Sequence, residues 1–317
     1  MKKRACLLAI VLLIAFGYLV GHYFVGYALR RGNAADPDAV PAACAAIHDP
    51  STKLPPRPEA DSEEWSIVSE DGVALRGTHF SPKTPSRRWA ILVHGYGRDQ
   101  QFVWDLAAAY LERGFEVLTP DMRGAGKSGG KYLTMGVKES EDVRAWARQV
   151  AARDGGARIA LHGVSMGAAT VMLAAEDAPP QVAAVVEDCG YTSAYEMFSV
   201  QLQKLFGLPE FPVMPCVDAV SRIETGAWLS DAAPIRRLPK IPTLFIHGDA
   251  DKLAPVGMAD ALYKASEATA KEILVVPGVG HADAKTDAQE LYYSAVFTFL
   301  EPFIKSEEGN GGAIWQP

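Results

Sequence analysis

The segment Gly163-Val164-Ser165-Met166-Gly167 carries the first chemical signal in this chain of 317 residues. A serine hydroxyl is a weak nucleophile until an adjacent base takes its proton, so it must be exposed and held against that base. A G-x-S-x-G segment does this where a strand runs into a helix through a strained turn. The flanking glycines leave room for backbone that a side chain would obstruct. Here a strand-like run, 158–161, comes before and an Ala-rich helical segment to about Ala175 follows. Ser165 is therefore the candidate nucleophile.

The partners of such a serine follow it in the order acid, then histidine. Among seven histidines, His281 alone follows the last expected strand, in Gly278-Val279-Gly280-His281-Ala282, and is the candidate base. His22 lies in an apolar N-terminal run, His48 in the segment after it and His79 within an expected strand. His94, His162 and His247 each precede a glycine at a strand end, where local hydrogen bonding is the commoner role. Asp249 and Asp251 compete as the acid, with Asp188 a distant third. Asp251 lies further into its loop, where a carboxylate can reach an imidazole, whereas Asp249 suits bracing of the loop. The acid would hold the imidazole in one tautomer and stabilise its protonated form. The developing oxyanion needs backbone N–H donors. Met166, directly after the nucleophile, is one candidate; Tyr96, in His94-Gly95-Tyr96-Gly97 after an early strand, is the other.

Positioning these groups requires alternating strands and helices. Residues 65–69 and 73–80 flank Asp71-Gly72, a hairpin signal. Residues 89–93 form a short apolar run, as in a strand buried on both faces. Further strands are expected at 116–119, 182–186, 243–246 and 272–276, and helices at 102–113, 138–152 and 286–300. Residues from about 194 to 239 lack strand periodicity and read as an inserted helical cap. The alternation is that of an α/β fold. The glycine-rich run Asp121-Met122-Arg123-Gly124-Ala125-Gly126-Lys127-Ser128-Gly129 lacks a complete phosphate-loop ending. It reads as a structural loop beside the pocket, with Asp121 and Arg123 bonded to their neighbours.

Over about residues 65–305 the chain resembles the α/β-hydrolase superfamily. The resemblance is carried by His94-Gly95-Tyr96-Gly97, Asp121-x-Arg123-Gly124-x-Gly126-x-Ser128, the Ser165 segment, His247-Gly248-x-x-Asp251-x-x-Ala254-Pro255 and Gly280-His281. More narrowly, it is similar to bacterial membrane-anchored or cell-surface hydrolases of the serine aminopeptidase/esterase-like branch. The residues concerned are Tyr23-Phe24-x-x-Tyr27-Ala28-Leu29, Thr134-Met135-Gly136 and Glu187-Asp188-Cys189-Gly190-Tyr191-Thr192-Ser193. The resemblance implies a mainly parallel eight-stranded sheet flanked by helices, with a helical cap over the active site. It selects Asp251 as the acid. Esterases, lipases, thioesterases and peptidases share this fold, so it leaves the substrate open.

At the N-terminus, Lys2, Lys3 and Arg4 precede an apolar run, 5–20, that continues with interruptions to Leu29. About 20 apolar residues span a bilayer. Either a cleaved signal peptide or an uncleaved anchor fits. Tyr23, Phe24 and Tyr27, then Arg30 and Arg31, stand where small residues would mark cleavage, which favours the anchor. The positive-inside rule then puts the domain outside the cytoplasm. The expected layout is an anchor at 1–31, a linker at 32–62, a hydrolase domain at 63–306 and a tail at 307–317.

The net charge is −7, with no Lys/Arg cluster beyond the N-terminus, which argues against a nucleic-acid partner. Four cysteines include no C-x-x-C pair or zinc spacing. Cys189 and Cys216 remain a candidate pair. Three functions are weighed. The first is hydrolysis of a small-molecule ester or acyl substrate through an acyl-enzyme, needing no metal or organic cofactor. The second is a peptidase or amidase, with Glu196, Glu210, Asp218 or Glu224 binding the substrate amine. The third is a catalytically silent envelope-binding protein. The complete set of residues favours the first.

Overall fold

A computed structural model describes residues 2–32, 41–44 and 53–305. Its eight strands are β1 (Asp61–Val68), β2 (Ala74–Ser81), β3 (Arg88–Val93), β4 (Glu116–Pro120), β5 (Arg158–Val164), β6 (Val182–Asp188), β7 (Thr243–Gly248) and β8 (Lys271–Val276). They form one sheet in the order β1-β2-β4-β3-β5-β6-β7-β8. β2 pairs antiparallel with β1 and β4, and every other neighbouring pair is parallel.

The central strands are continuous apolar runs because both faces of the sheet are covered. Along β3, Trp89, Ile91 and Val93 enter one core cluster while Ala90 and Leu92 enter the other, the two-residue period of a strand. Helices α2 (Trp104–Glu112) and α9 (Gln289–Leu300) cover one face. Helices α3 (Val137–Arg153) and α4 (Met166–Ala175) cover the other, and every residue of α4 is buried. Each fully buried Leu, Ile or Phe contributes about 1.5–3 kcal/mol.

Between β6 and β7 lie two helices, α5 (Ala194–Phe206) and α6 (Glu210–Thr225), followed by two 3₁₀ turns. Then come α7 (Gly257–Ala265) before β8 and the short α8 (Ala284–Asp287) before α9. The last helix expected from periodicity, 286–300, is thus two helices that meet at Ala288. The expected helix 102–113 begins with a 3₁₀ turn, Gln100–Val103, whose cap Asp99 accepts from the N–H of Gln101 at 2.9 Å. β1 starts at Asp61, inside the expected linker, because its charged first half lies on an edge strand and shows no apolar alternation. Residues 33–40 and 45–52 of that linker, and the expected tail 307–317, lie outside the described residues.

The N-terminal helix α1 (Lys2–Ala28) is the one described helix long and apolar enough to cross a membrane. Its first half exposes Leu7, Leu8, Leu12, Leu13, Ile14 and Phe16. Its second half is joined to the domain. A side chain at Gly21 would sit 2.4 Å from the carbonyl oxygen of Cys216, so α1 and α6 approach backbone to backbone. Val25 and Leu29 are buried. The chain then pairs with a loop of the domain: Arg31 N–H donates to Lys131 O (2.9 Å) and Leu133 N–H to Leu29 O (2.8 Å). The Arg31 guanidinium donates to Ser128 O and Gly126 O at 2.8 and 2.7 Å. Cys189 and Cys216 are both free thiols, so the pairing weighed from the sequence does not form.

Candidate active site

Ser165 stands between β5 and α4 with φ +58° and ψ −117°. A non-glycine residue in so sparsely populated a region costs about 1–3 kcal/mol and persists only where its surroundings enforce it. They do so here. Ser165 N–H donates to Asp188 O at 2.8 Å. A Cβ at Gly163 would lie 2.1 Å from Gly167 O, and one at Gly167 would lie 2.1 Å from Val93 O. Neither glycine tolerates a side chain, which explains the pattern around the serine.

His281 Nε2 lies 2.8 Å from Ser165 Oγ, and its Nδ1 lies 2.6 Å from Asp251 Oδ2. Asp251 Oδ1 accepts the N–H groups of Leu253 (2.8 Å) and Ala254 (2.9 Å). Burial works against ionisation of Asp251, but hydrogen bonds from His247 and His281 outweigh it and hold the carboxyl well below the usual carboxylate range. An ionised Asp251 accepts, so Nδ1 of His281 carries the proton and Nε2 is left free to accept from the serine hydroxyl. The other acids expected as alternatives have different partners. Asp249 Oδ1 accepts from Gly278 N–H at 2.6 Å, bracing the loop, and Asp188 Oδ2 accepts from the Tyr292 hydroxyl at 2.9 Å.

Met166 is the first residue of α4, so its N–H has no partner within the helix. Gly95 packs against the serine, its Cβ position 3.3 Å from Ser165 Cβ, which brings the backbone before Tyr96 beside Ser165. Tyr96, Ser165 and Met166 together line one pocket.

Three of the remaining histidines serve the framework. His94 Nε2 accepts from Met122 N–H (3.0 Å) and Nδ1–H donates to Gly95 O (2.9 Å), so the ring is neutral; burial pulls its pKa down. His162 sits between the hydroxyls of Tyr110 and Tyr292, at 3.0 and 2.9 Å. His247 Nε2 lies 2.7 Å from Ala254 O and 3.2 Å from Asp251 Oδ2, a second imidazole on the same carboxylate. Its i,i+4 spacing from Asp251 is the sequence signal that could have marked it. Cys189 Sγ lies within 4.8 Å of the Asp251–His281 pair; burial and the nearby carboxylates push its thiol well above its ordinary pKa, so it stands there as a neutral group.

The Asp121 loop is a scaffold. Asp121 accepts the N–H of Gln100 (2.9 Å) and of Lys127 (2.8 Å), and Arg123 donates to Asp142 and Asp71. Gly126, at φ +48°, would place a Cβ 2.3 Å from the Asp121 carboxyl.

The pocket above Ser165 is walled mainly by apolar residues of α4, α5 and α6, among them Met166, Met197, Phe198, Leu202, Met214 and Val217. A further wall escaped the sequence reading: Phe24, Tyr27, Ala28 and Leu29, at the end of α1. Their aromatic residues had a sufficient explanation as an interfacial belt. The cap carboxylates weighed as amine binders point elsewhere. Glu196 accepts from Thr192 (2.8 Å), Asp218 from Ser230 (2.8 Å) and Glu224 from Tyr132 (3.0 Å), and Glu210 is exposed. Among the described residues, no lining residue is ionisable apart from the tyrosines.

A family model described as serine aminopeptidase, S33, matches residues 84–204. The uncharacterized protein Rv2307c of Mycobacterium tuberculosis is 30% identical over 240 residues, covering 74% of this chain and 77% of that protein. The monoacylglycerol lipase of Mycolicibacterium smegmatis is 27% identical over 271 residues, covering 75% of this chain and 96% of the lipase. Among solved structures, the Pyrococcus furiosus esterase Pf2001 superposes with a TM-score of 0.65 at 23% identity, over 80% of this chain and 99% of the esterase, and so shares the fold. With an elbow serine at the centre of an eight-stranded, mostly parallel sheet and relatives that match along most of both lengths, this chain belongs to the serine aminopeptidase S33 family of α/β-hydrolases.

Proposed function

We propose that the protein is a membrane-anchored serine hydrolase that cleaves carboxylic esters through an acyl-enzyme. The observation that carries this reading is the hydrogen-bonded chain from Ser165 Oγ through His281 to Asp251, opening on an apolar pocket. In this mechanism Ser165 Oγ attacks the acyl carbon while His281 Nε2 takes its proton. Asp251 holds the imidazole by Nδ1–H and stabilises its cationic form. The N–H groups of Met166 and Tyr96 receive the oxyanion. His281 returns the proton to the departing alkoxide, and water, activated by the same imidazole, releases the acid. No metal or organic cofactor takes part.

An ester with an apolar acyl group suits the lining better than a peptide with a free amine. Binding an ammonium group in an apolar pocket requires a compensating charge, and the four cap carboxylates lie outside the lining. The similarity to a monoacylglycerol lipase points the same way. The packing of α1 on α6 and its share in the pocket wall favour retention of this helix as an anchor over its cleavage. On the positive-inside rule the domain lies outside the cytoplasm.

The test is hydrolysis of p-nitrophenyl butyrate by the full-length protein in detergent, beside Ser165→Ala. Loss of about a thousand-fold or more in kcat with unchanged folding supports the reading. Equal rates for the two proteins would overturn it, and so would a folded wild type that neither turns over esters nor labels with a fluorophosphonate.

A further inference from the structure

Two residues that line the pocket are open to the surface beside the N-terminal helix. Leu205 and Phe206, at the end of α5, line the pocket and are also 45% and 37% exposed. Phe206 makes edge-to-face contacts with Phe24 and Tyr27 of α1, at 5.2 and 5.6 Å between ring centroids. The mouth is therefore formed jointly by the cap and the anchor.

The surface around this mouth is apolar. From 204 to 211 the chain reads Lys-Leu-Phe-Gly-Leu-Pro-Glu-Phe, with Leu205, Phe206, Leu208 and Phe211 all exposed, Phe211 to 77%. On α1 the outward apolar face continues past the free half of the helix through Leu19 (62%) to Tyr23 (58%). Exposed apolar surface of this extent next to a membrane span calls for a partner. The span itself identifies the partner. The uninterrupted apolar run, 5–20, covers only about 24 Å at 1.5 Å per residue, against about 30 Å of hydrocarbon. About 30 Å measured along the helix from Ala5 ends near Tyr23 and Phe24, at the height where Phe206 of the cap packs on Phe24.

We propose that the tip of the cap, Leu205, Leu208 and Phe211, rests in the outer interface of the bilayer, and that the pocket receives a long-chain acyl ester directly from the lipid through the mouth between α1 and α5. This rests on the ester-hydrolase reading and narrows it to a lipid substrate. The acyl chain passes from bilayer to protein between apolar surfaces, Phe206, Phe24 and Tyr27 on the way in and Leu202, Met197 and Met214 further along, without crossing water. The chain's desolvation cost is thereby avoided. The ester carbonyl comes to rest at Ser165. The anchor on this account is part of the substrate route as well as a tether.

The experiment uses the full-length protein in phosphatidylcholine vesicles, with two substrates: p-nitrophenyl palmitate dissolved in the same vesicles and water-soluble p-nitrophenyl butyrate. Leu208 and Phe211 are exposed and do not line the pocket, so Leu208→Glu combined with Phe211→Glu disturbs the membrane contact alone. The variant is expected to lose about tenfold on the palmitate and to stay within about twofold on the butyrate. Dilution of the palmitate with extra vesicle lipid, at constant total concentration, should slow the wild type without affecting butyrate turnover. Equal losses on both esters, no loss on either, or a palmitate rate indifferent to lipid dilution would overturn the proposal. A wild type that cleaves butyrate and leaves palmitate intact would also overturn it while the ester reading stands. Turnover of neither ester would remove both.

Discussion

The hydroxyl of Tyr96 donates to the carbonyl oxygen of Ala28 at 2.5 Å, tying the loop beside Ser165 to the last turn of the N-terminal helix. Ala28 is at the C-terminal end of α1, where carbonyls have no partner within the helix. The bond supplies one. Tyr96→Phe is expected to destabilise the protein by about 1–2 kcal/mol, since a part-buried acceptor is left unpaired. It should also lower kcat/KM for butyrate, because the Tyr96 N–H shifts with its loop. Thermal unfolding and kinetics in the same detergent would check both; an unaltered Tm would show that another group takes over the Ala28 carbonyl.

Two glycines in α1 offer a matched comparison. Gly21 faces the Cys216 carbonyl so closely that a Cβ would sit at 2.4 Å, whereas Gly26 has nothing within 4 Å. Gly21→Ala is expected to force α1 off α6 and destabilise the packed helix by about 1–3 kcal/mol. Gly26→Ala is expected to be neutral or to stabilise by up to about 1 kcal/mol through helix propensity. Protection of the α1 amides from hydrogen exchange would separate them. Equal protection in the two variants would contradict the close approach.

Asp251→Asn keeps the shape of the acid loop but allows the amide to donate where the carboxylate accepts. His281 would then be held in the wrong tautomer, with Nε2 protonated towards Ser165. We expect kcat to fall about ten-thousand-fold with little change in KM. Asp249→Asn, on the loop-bracing residue, is expected to keep kcat within about tenfold. The reverse ranking in butyrate hydrolysis would transfer the acid role to Asp249.

Glu187 is buried, and its carboxyl hydrogen-bonds to the N–H of Gly190 at 2.9 Å. Burial pushes its pKa up from 4.5 to about 7. In the unfolded chain the group ionises near 4.5, so between that pH and about 7 the folded protein holds a proton that the unfolded chain has released. Stability therefore falls as pH rises through this window, and above it the penalty is complete, at about 3 kcal/mol. Glu187→Gln stays neutral throughout and is expected to lose this part of the pH dependence, with a smaller Tm difference between pH 5 and pH 8. Melting curves with an unchanged pH slope would assign the titration to another group.

Much of the framework was legible because it is written in local patterns. The runs at 89–93 and 243–246 read as strands since both faces of the sheet are covered, and the Asp71-Gly72 turn reads as a hairpin with Gly72 at φ +84°. Ser165 was legible for a steric reason: Gly163 is kept free of a side chain by the backbone of Gly167 in the same turn, and Gly167 by the backbone of Val93 on the adjacent strand. β1 was less clear because an exposed edge strand of charged residues has no apolar period. The break at Ala288 carries no breaker residue, so no local signal announces it.

By itself the sequence determined which residues can do chemistry and in what order the chain presents them: an elbow serine, acids after one strand and a histidine after the last. Asp251 was already preferred to Asp249 from its place in the loop and from the family pattern; the contacts of the two carboxylates came only with folding, which sets Asp251 2.6 Å from the imidazole of His281 and Asp249 against the Gly278 N–H. The second use of the N-terminal helix was also a matter of tertiary structure. Hydrophobicity alone marks α1 as apolar enough for lipid, and lipid and a protein pocket make the same demand on Phe24 and Tyr27. Only the close approach of Gly21 to α6, across nearly 200 residues of chain, turns those rings towards Phe206 and makes them part of the pocket.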